Sequence, residues 1–331
     1  MLHLHVVEKK FADLGKKSTD FRTKNNMKAM KATADTSPLS SNWVNLLAYP
    51  IHSSEQKLYQ TTVQHARQQL QETGCASFPH FFTSAAVKAS LSRIKPSSPA
   101  AFSCNNFHNA FQLPGTDANY SNNHPRNVFM QTRVASLAYD ELNREGPLYQ
   151  LYNDDAFVRF VRDVTNQKEL HRLKDPLGAC TVNIFKPGWY HAWHFDESEY
   201  TTTLCLQQSE AGGEFQFTPP IRHDQSIDSC SPAVSSILNT HSKYNTTSVK
   251  SSSPLNPRVN VKAADFDAGT LQIFAGRYSF HRVTQIPVTA QKDRLVAVLC
   301  FSTEKNVINS PEVQKMFWGR TVSSVLSSSK L

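Results

Sequence analysis

Residues 181–203 hold the side chains whose types and spacing suggest chemistry first. His194-Phe195-Asp196 sets an imidazole and a carboxylate two positions apart. In an extended segment alternate side chains leave by the same face, so one strand offers two metal ligands. A third His from a distant strand would complete a face of two imidazoles and one carboxylate, an arrangement that leaves positions open on non-haem Fe(II). The chain has 13 His, so one His-x-Asp pair carries little weight alone. The downstream residues decide: His281 lies in Phe280-His281-Arg282-Val283, and Arg294 opens the apolar run Leu-Val-Ala-Val-Leu-Cys-Phe301.

Strands must position these groups. Thr181, Asn183 and Phe185 alternate with Val182 and Ile184, Lys186-Pro187-Gly188 is a turn, and residues 200–206 are β-branched and apolar. Gly212-Gly213 leads into the alternating Glu214-Phe215-Gln216-Phe217, ended by Pro219-Pro220. Residues 223–257 are rich in Ser, Asn, Thr and Pro and read as a loop inserted between strands of one domain, because a β pattern resumes at 259–262. Asp267-Ala268-Gly269 is a turn before a strand at 270–274.

Upstream the pattern is helical. Ser53-x-x-Gln56 reads as a capping box, Tyr59, Val63, Ala66 and Leu70 recur at helical spacing, and Gly74 stops the helix. Residues 76–82 read as an edge strand because Pro79 cannot donate to a central ladder. A second helix is expected over 84–94, irregular chain over 96–128, and a third helix over 149–164 with Phe157, Phe160, Val161 and Val164 on one face. Pro311 should open a final helix through Phe317. The expected organisation is a basic, disordered segment 1–40, a helical part 41–175 packing on the sheet, a β core 176–305, and a short helix and tail 306–331.

The 331 residues suffice for one large core. The formal net charge of +8 is spread along the chain without a zinc-finger or RNA-binding signature, which argues against a nucleic-acid partner. Six isolated Cys, several in apolar runs, read as buried thiols. Nothing resembles a signal-peptide core or a membrane span, so the protein is expected to be soluble and intracellular. The chain ends in Ser329-Lys330-Leu331, the tripeptide that a peroxisomal import receptor reads at a free C-terminus. The expected location is therefore the peroxisome, and otherwise the cytoplasm.

Taken together, HAWHFDESEY, GGEFQF, GTLQIFAGRYSFHRVT and DRLVAVLCF resemble the iron(II)- and 2-oxoglutarate-dependent oxygenases over about residues 178–303. The resemblance implies a mostly β fold, a double-stranded β-helix or cupin-like jelly roll, flanked here by N-terminal helices. It makes His194, Asp196 and His281 both the metal ligands and the catalytic set, with Fe(II), 2-oxoglutarate and O2 as cofactor and co-substrates. Arg294 matches the basic residue that grips the far carboxylate of 2-oxoglutarate, a role suited to a forked, permanent cation. Its rivals are Arg277 and Arg282, and the latter should point to the opposite face. Asn183 and Thr203 face inward if their strands alternate as expected, where they would hydrogen-bond 2-oxoglutarate.

His191-x-x-His194-x-Asp196 followed by Glu197 is similar to the branch acting on free amino acids, which implies substrate contacts from His191 and Glu197. Trp193 is a further candidate to wall the pocket. The retained carboxylate at Asp196 implies hydroxylation or a related oxidation, coupled to conversion of 2-oxoglutarate to succinate and CO2. The expected substrate is a small molecule, a free amino acid or a derivative of one. The alternatives are a peroxisomal acyl substrate as for phytanoyl-CoA-like hydroxylases, a protein or prolyl substrate, and a jelly-roll module that binds metal without catalysis.

Overall fold

The computed structural model describes residues 42–95, 97–224, 226–241 and 260–322. The chain enters through α1 (Lys57–Thr73), β1 (Cys75–Phe78), α2 (Ser84–Ile94), β2 (Phe102–His108) and β3 (Met130–Leu137). Next come α3 (Pro147–Asn153), α4 (Asp155–Val164), β4 (His171–Arg172), β5 (Cys180–Phe185), β6 (His191–His194), β7 (Thr201–Gln207) and β8 (Phe215–Phe217). The chain then runs through α5 (Ser231–His241), β9 (Lys262–Ala263), β10 (Leu271–Phe274), β11 (His281–Val283), β12 (Arg294–Leu299), β13 (Phe301–Ser302) and α6 (Pro311–Trp318).

Two sheets carry the architecture. The larger has the order β1-β10-β7-β12-β5-β3-β2, the smaller β6-β11-β8-β9, and β13 pairs with β4 alone. All the pairings are antiparallel. From β5 to β12 the chain passes back and forth between the two sheets, which is the winding of a double-stranded β-helix, or jelly roll. The expected fold is the one observed.

Alternation divides each strand of the larger sheet between two environments. Val182, Ile184, Leu204, Leu206, Leu271, Ile273, Leu295, Ala297 and Leu299 join the main core under the helices. There they meet Tyr59, Val63, Ala66 and Leu70 of α1, Ala86, Val87 and Ile94 of α2, and Phe157, Phe160, Val161 and Val164 of α4. Each Val, Leu, Ile or Phe among them contributes about 1.5–3 kcal/mol when fully buried. The intervening residues Asn183, Phe185, Thr203, Cys205, Arg294 and Val296 therefore face the barrel interior, where Cys205, Val296 and Phe266 form a small cluster of their own.

Several local expectations need correction. Serial turns occupy 51–56, with Gln56 N–H bonded to the Ser53 carbonyl, so α1 starts one turn later and its cap Gln56 makes no side-chain bond. The helix expected over 149–164 breaks at Asp154, whose carboxylate accepts from Ala156 N–H and caps α4. The stretch expected to be irregular contains β2, whose edge position tolerates an Asn-rich sequence, and β3 pairs with it. The apolar run from Arg294 is interrupted at Cys300, and Phe301 pairs instead with Arg172. The insertion carries the helix α5, while its residues 242–257 lie outside the described ones, as do 1–41 and the terminal tripeptide.

Candidate metal centre

His194 ends β6 and His281 begins β11, and the two residues are directly paired across the smaller sheet. Their ring centroids stand 4.2 Å apart. Asp196 lies just past β6, where its N–H bonds the Gly276 carbonyl at 3.0 Å and the preceding Phe195 N–H bonds the Ala110 carbonyl at 2.9 Å. The Asp196 Oδ1 atom is 3.4 Å from Nε2 of His194 and 3.4 Å from Nε2 of His281. One ligand atom from each of the three residues lies within 4.8 Å of the others. Donors about 2.1 Å from one ion and at right angles to each other stand about 3 Å apart, so modest tightening gives a facial set.

The surrounding hydrogen bonds leave the right lone pairs free. Nδ1 of His194 meets the Ala192 carbonyl at 2.8 Å and Nδ1 of His281 meets the Ser279 carbonyl at 2.9 Å. A carbonyl only accepts, so each Nδ1 carries the proton and each Nε2 is left as a donor to metal. Thr201 donates to Asp196 Oδ2 at 2.5 Å, which turns Oδ1 toward the histidines. Gly276 packs so closely on the Asp196 carboxylate that a Cβ there would overlap Oδ2. Burial, helped by the neighbouring His281, lowers the His194 pKa. Burial alone would raise the Asp196 pKa, but His281 and His194 outweigh it and hold the carboxyl well below its usual range. Neutral imidazole and ionised carboxylate are the forms that bind a metal ion.

Two more imidazoles adjoin the three ligands. The His191 ring stacks on His194 with centroids 3.9 Å apart and is half-buried. His108, on β2, has its ring 5.7 Å from both His191 and His194. Its Nε2 meets Thr132 Oγ1 at 2.7 Å and its Nδ1 the Asn109 carbonyl at 3.0 Å. Thr132 Oγ1 accepts from Ala192 N–H at 3.0 Å, so its own proton goes to His108. The β2–β3 pair is thereby tied to Ala192, the residue whose carbonyl orients His194.

The remaining site candidates separate by face. Trp193 points away from His194, is 3% exposed, and packs with Phe195, Phe280, Val234, Ile237 and Leu238 beneath α5. It belongs to the outer layer and does not wall the barrel interior, because neighbouring strand residues take opposite faces. Glu197 is exposed, and Arg277 donates to its backbone carbonyl. Arg282 lies outside with Trp193, its Cζ 4.9 Å from that ring, as alternation predicted.

Arg294 is 4% exposed and points into the barrel, its Cζ 5.5 Å from the ring centres of Phe185 and Phe266. Among the described residues its guanidinium has no carboxylate partner, and burial lowers its pKa to about 10. Leu299 pairs with Thr202 and Leu295 with Gln207, so Arg294 sits at the opposite end of the barrel from Thr201 and the ligands. The interior wall between them presents Thr203 and Cys205 on β7 and Asn183 on β5. The four steps from Thr201 to Cys205 span about 13 Å of strand, part of which the Arg294 side chain covers.

No protein-family profile matches the chain, and no curated protein does. Among solved structures, the chain is similar to an oxidoreductase of the 2OG-Fe(II) oxygenase family from Burkholderia pseudomallei, with 15% identity over 73% of this chain and 91% of that one and a TM-score of 0.41. It is similar to SnoN, a non-haem alpha-ketoglutarate-dependent epimerase of nogalamycin biosynthesis, at 11% identity over 73% and 83% of the two chains, TM-score 0.48. A prolyl-4-hydroxylase from Pseudomonas putida is similar at 10% identity over 71% and 96%, TM-score 0.40. The strand order carries the fold, and these distant likenesses add no weight to a functional reading.

Sequence patterns did not single out Thr201, Gly276, His108 or Thr132. Thr201 falls on the same strand face as Thr203 and so was open to the alternation argument. The other three gain their roles only through pairings between distant segments.

Proposed function

We propose that this chain is an Fe(II)- and 2-oxoglutarate-dependent oxygenase that hydroxylates a small molecule, a free amino acid or a derivative of one. What supports the reading above all is the convergence of His194 Nε2, His281 Nε2 and Asp196 Oδ1, each turned inward by a hydrogen bond on its other atom. Two imidazoles and one carboxylate suit a divalent transition metal and leave half of an octahedral shell for other ligands. A barrel interior whose far end holds a cation with no anionic partner among the described residues suits a dicarboxylate, the second support.

In this reading His194, Asp196 and His281 hold the iron, which supplies activation of O2 coupled to oxidation of 2-oxoglutarate. Arg294 pairs with the distal carboxylate of the co-substrate, and Asn183 and Thr203 offer hydrogen bonds along its length. The Phe185 and Phe266 rings exclude water from that ion pair and so strengthen it. His191, with a half-exposed ring beside the ligands, offers hydrogen bonds to the substrate. Glu197, exposed beyond the strand, is proposed to meet the substrate at the mouth.

Succinate release that requires both Fe(II) and 2-oxoglutarate tests this function. Screening free amino acids and acyl compounds for stimulated release, with product mass, identifies the substrate class. Iron-loaded, folded protein that shows no turnover of 2-oxoglutarate, coupled or uncoupled, would return the chain to the non-catalytic alternative.

A further inference from the structure

Asn183 is central to β5, between β12 and β3, and opposite Val296 on one side and Ser136 on the other. Although it is in the middle of the larger sheet, it is only half-buried, and alternation puts its side chain on the barrel face. Ser136 is 1% exposed and its hydroxyl donates to Asn183 Oδ1 at 2.8 Å. Among the described residues Asn183 Nδ2 has no acceptor. An amide has two faces of unlike chemistry, an acceptor oxygen and a donor NH2, and which one is shown to a ligand depends on what holds the other. Ser136 decides that choice. With Oδ1 on Ser136, the buried hydroxyl proton has an acceptor and the NH2 faces the interior. The reverse rotamer strands that proton and turns a lone pair toward the space that Arg294 faces.

We propose that Ser136 is a positioning residue that locks the Asn183 amide so that its NH2 donates to an anionic oxygen of a bound 2-oxo acid. The proposal rests on the co-substrate reading given above and extends it to a residue on a strand outside the β5–β12 winding. Asn183 stands where such a donor is needed. It faces the interior two residues before Phe185, the partner of Arg294, and two after Thr181, on the side of the ligands. A donor there meets the ligand between its two ends. Without the serine hydroxyl the amide is free to rotate, and part of the population presents oxygen to an anion.

The test measures 2-oxoglutarate binding to Mn(II)-loaded protein by ligand-induced thermal shift, together with kcat and KM for succinate release. Ser136→Ala should weaken binding about three- to tenfold, the value of one neutral hydrogen bond, and raise KM for 2-oxoglutarate with kcat and Mn(II) affinity unchanged. Asn183→Asp preserves shape but replaces the donor by a negative oxygen, and should weaken binding by roughly thirtyfold or more. Unaltered Mn(II) affinity in both variants reports that the fold and the metal centre are intact. Wild-type protein that binds 2-oxoglutarate while both variants bind it equally well overturns this inference alone. Wild-type protein that fails to bind 2-oxoglutarate overturns the co-substrate reading, and the inference with it.

Discussion

Replacing Arg294 by Met should stabilise the ligand-free protein while removing its co-substrate response. The guanidinium is 4% exposed and no carboxylate partner lies near it among the described residues. Burial takes its pKa from 12.5 to about 10, and at about 1.4 kcal/mol per pH unit the charged form carries a penalty of about 3 kcal/mol. The contacts with Phe185 and Phe266, each at 5.5 Å, offset about 0.5–1 kcal/mol apiece. Met fills comparable space without charge, so Arg294→Met should gain about 1–2 kcal/mol. That corresponds to a rise in Tm of about 2–3 °C. A forked cation on a carboxylate makes two charge-assisted bonds, so the variant should need on the order of a hundredfold more 2-oxoglutarate. Thermal melts of Mn(II)-loaded protein with and without 2-oxoglutarate read both effects. A ligand-free variant that melts several degrees lower than wild type, yet is still protected by 2-oxoglutarate, would show that Arg294 serves the fold and not the ligand.

Four further outcomes follow from the site and its surroundings. His194→Ala or His281→Ala should lower Fe(II) or Co(II) affinity at least about a hundredfold by chelator competition with an unchanged far-ultraviolet spectrum; retained affinity would exclude the altered residue as a ligand. Gly276→Ala should push the Asp196 carboxylate aside and weaken metal binding about tenfold or more, and normal affinity would refute the close packing described. His108 is kept neutral down to about pH 4, first by burial and then by His194. Its unfolded form takes up a proton near the ordinary 6.5, so stability falls as pH drops through that window. Urea unfolding of metal-free protein should show His108→Asn losing about 2 kcal/mol less than wild type between pH 7 and pH 5, and an equal loss would mean that His108 is not buried neutral. We also propose that Ser329-Lys330-Leu331 directs the protein to peroxisomes: a fluorescent protein fused ahead of the intact chain should give punctate signal that turns diffuse on deletion of Leu331, and a diffuse signal with the intact tail would reject it.

Strand periodicity made most of the β core legible. The alternation at 181–185 separated Val182 and Ile184, under the helices, from Asn183 and Phe185, inside the barrel, and the same argument placed Arg282 outward, whereas Arg294 was singled out by the family resemblance. Helical spacing found the buried face of α1, Tyr59, Val63, Ala66 and Leu70. Where the pattern was silent, the determining contacts came from elsewhere in the chain. The polar β2 is an edge strand, and among the described residues its only strand partner is β3. The α5 helix was hidden by the Ser-rich composition of the insertion, since its ordering comes from Val234, Ile237 and Leu238 packing on Trp193, Phe195 and Phe280. Asp196 was recognisable from its spacing to His194, but not the Thr201 hydroxyl that aims it, because short polar residues gain such roles only from tertiary neighbours.

The outer layer formed by α5 has its own consequence. Phe195 separates His194 from Asp196 along the chain, Phe280 immediately precedes His281, and both rings are sealed on the side away from the metal ligands by residues of the insertion. Each ligand-bearing backbone segment is thus gripped from behind by a helix that donates nothing to the metal itself. Sequence drift in this appendage would loosen the wrists while leaving the fingers unchanged, so variation there should register first as slack in ion retention, with every coordinating atom still in place.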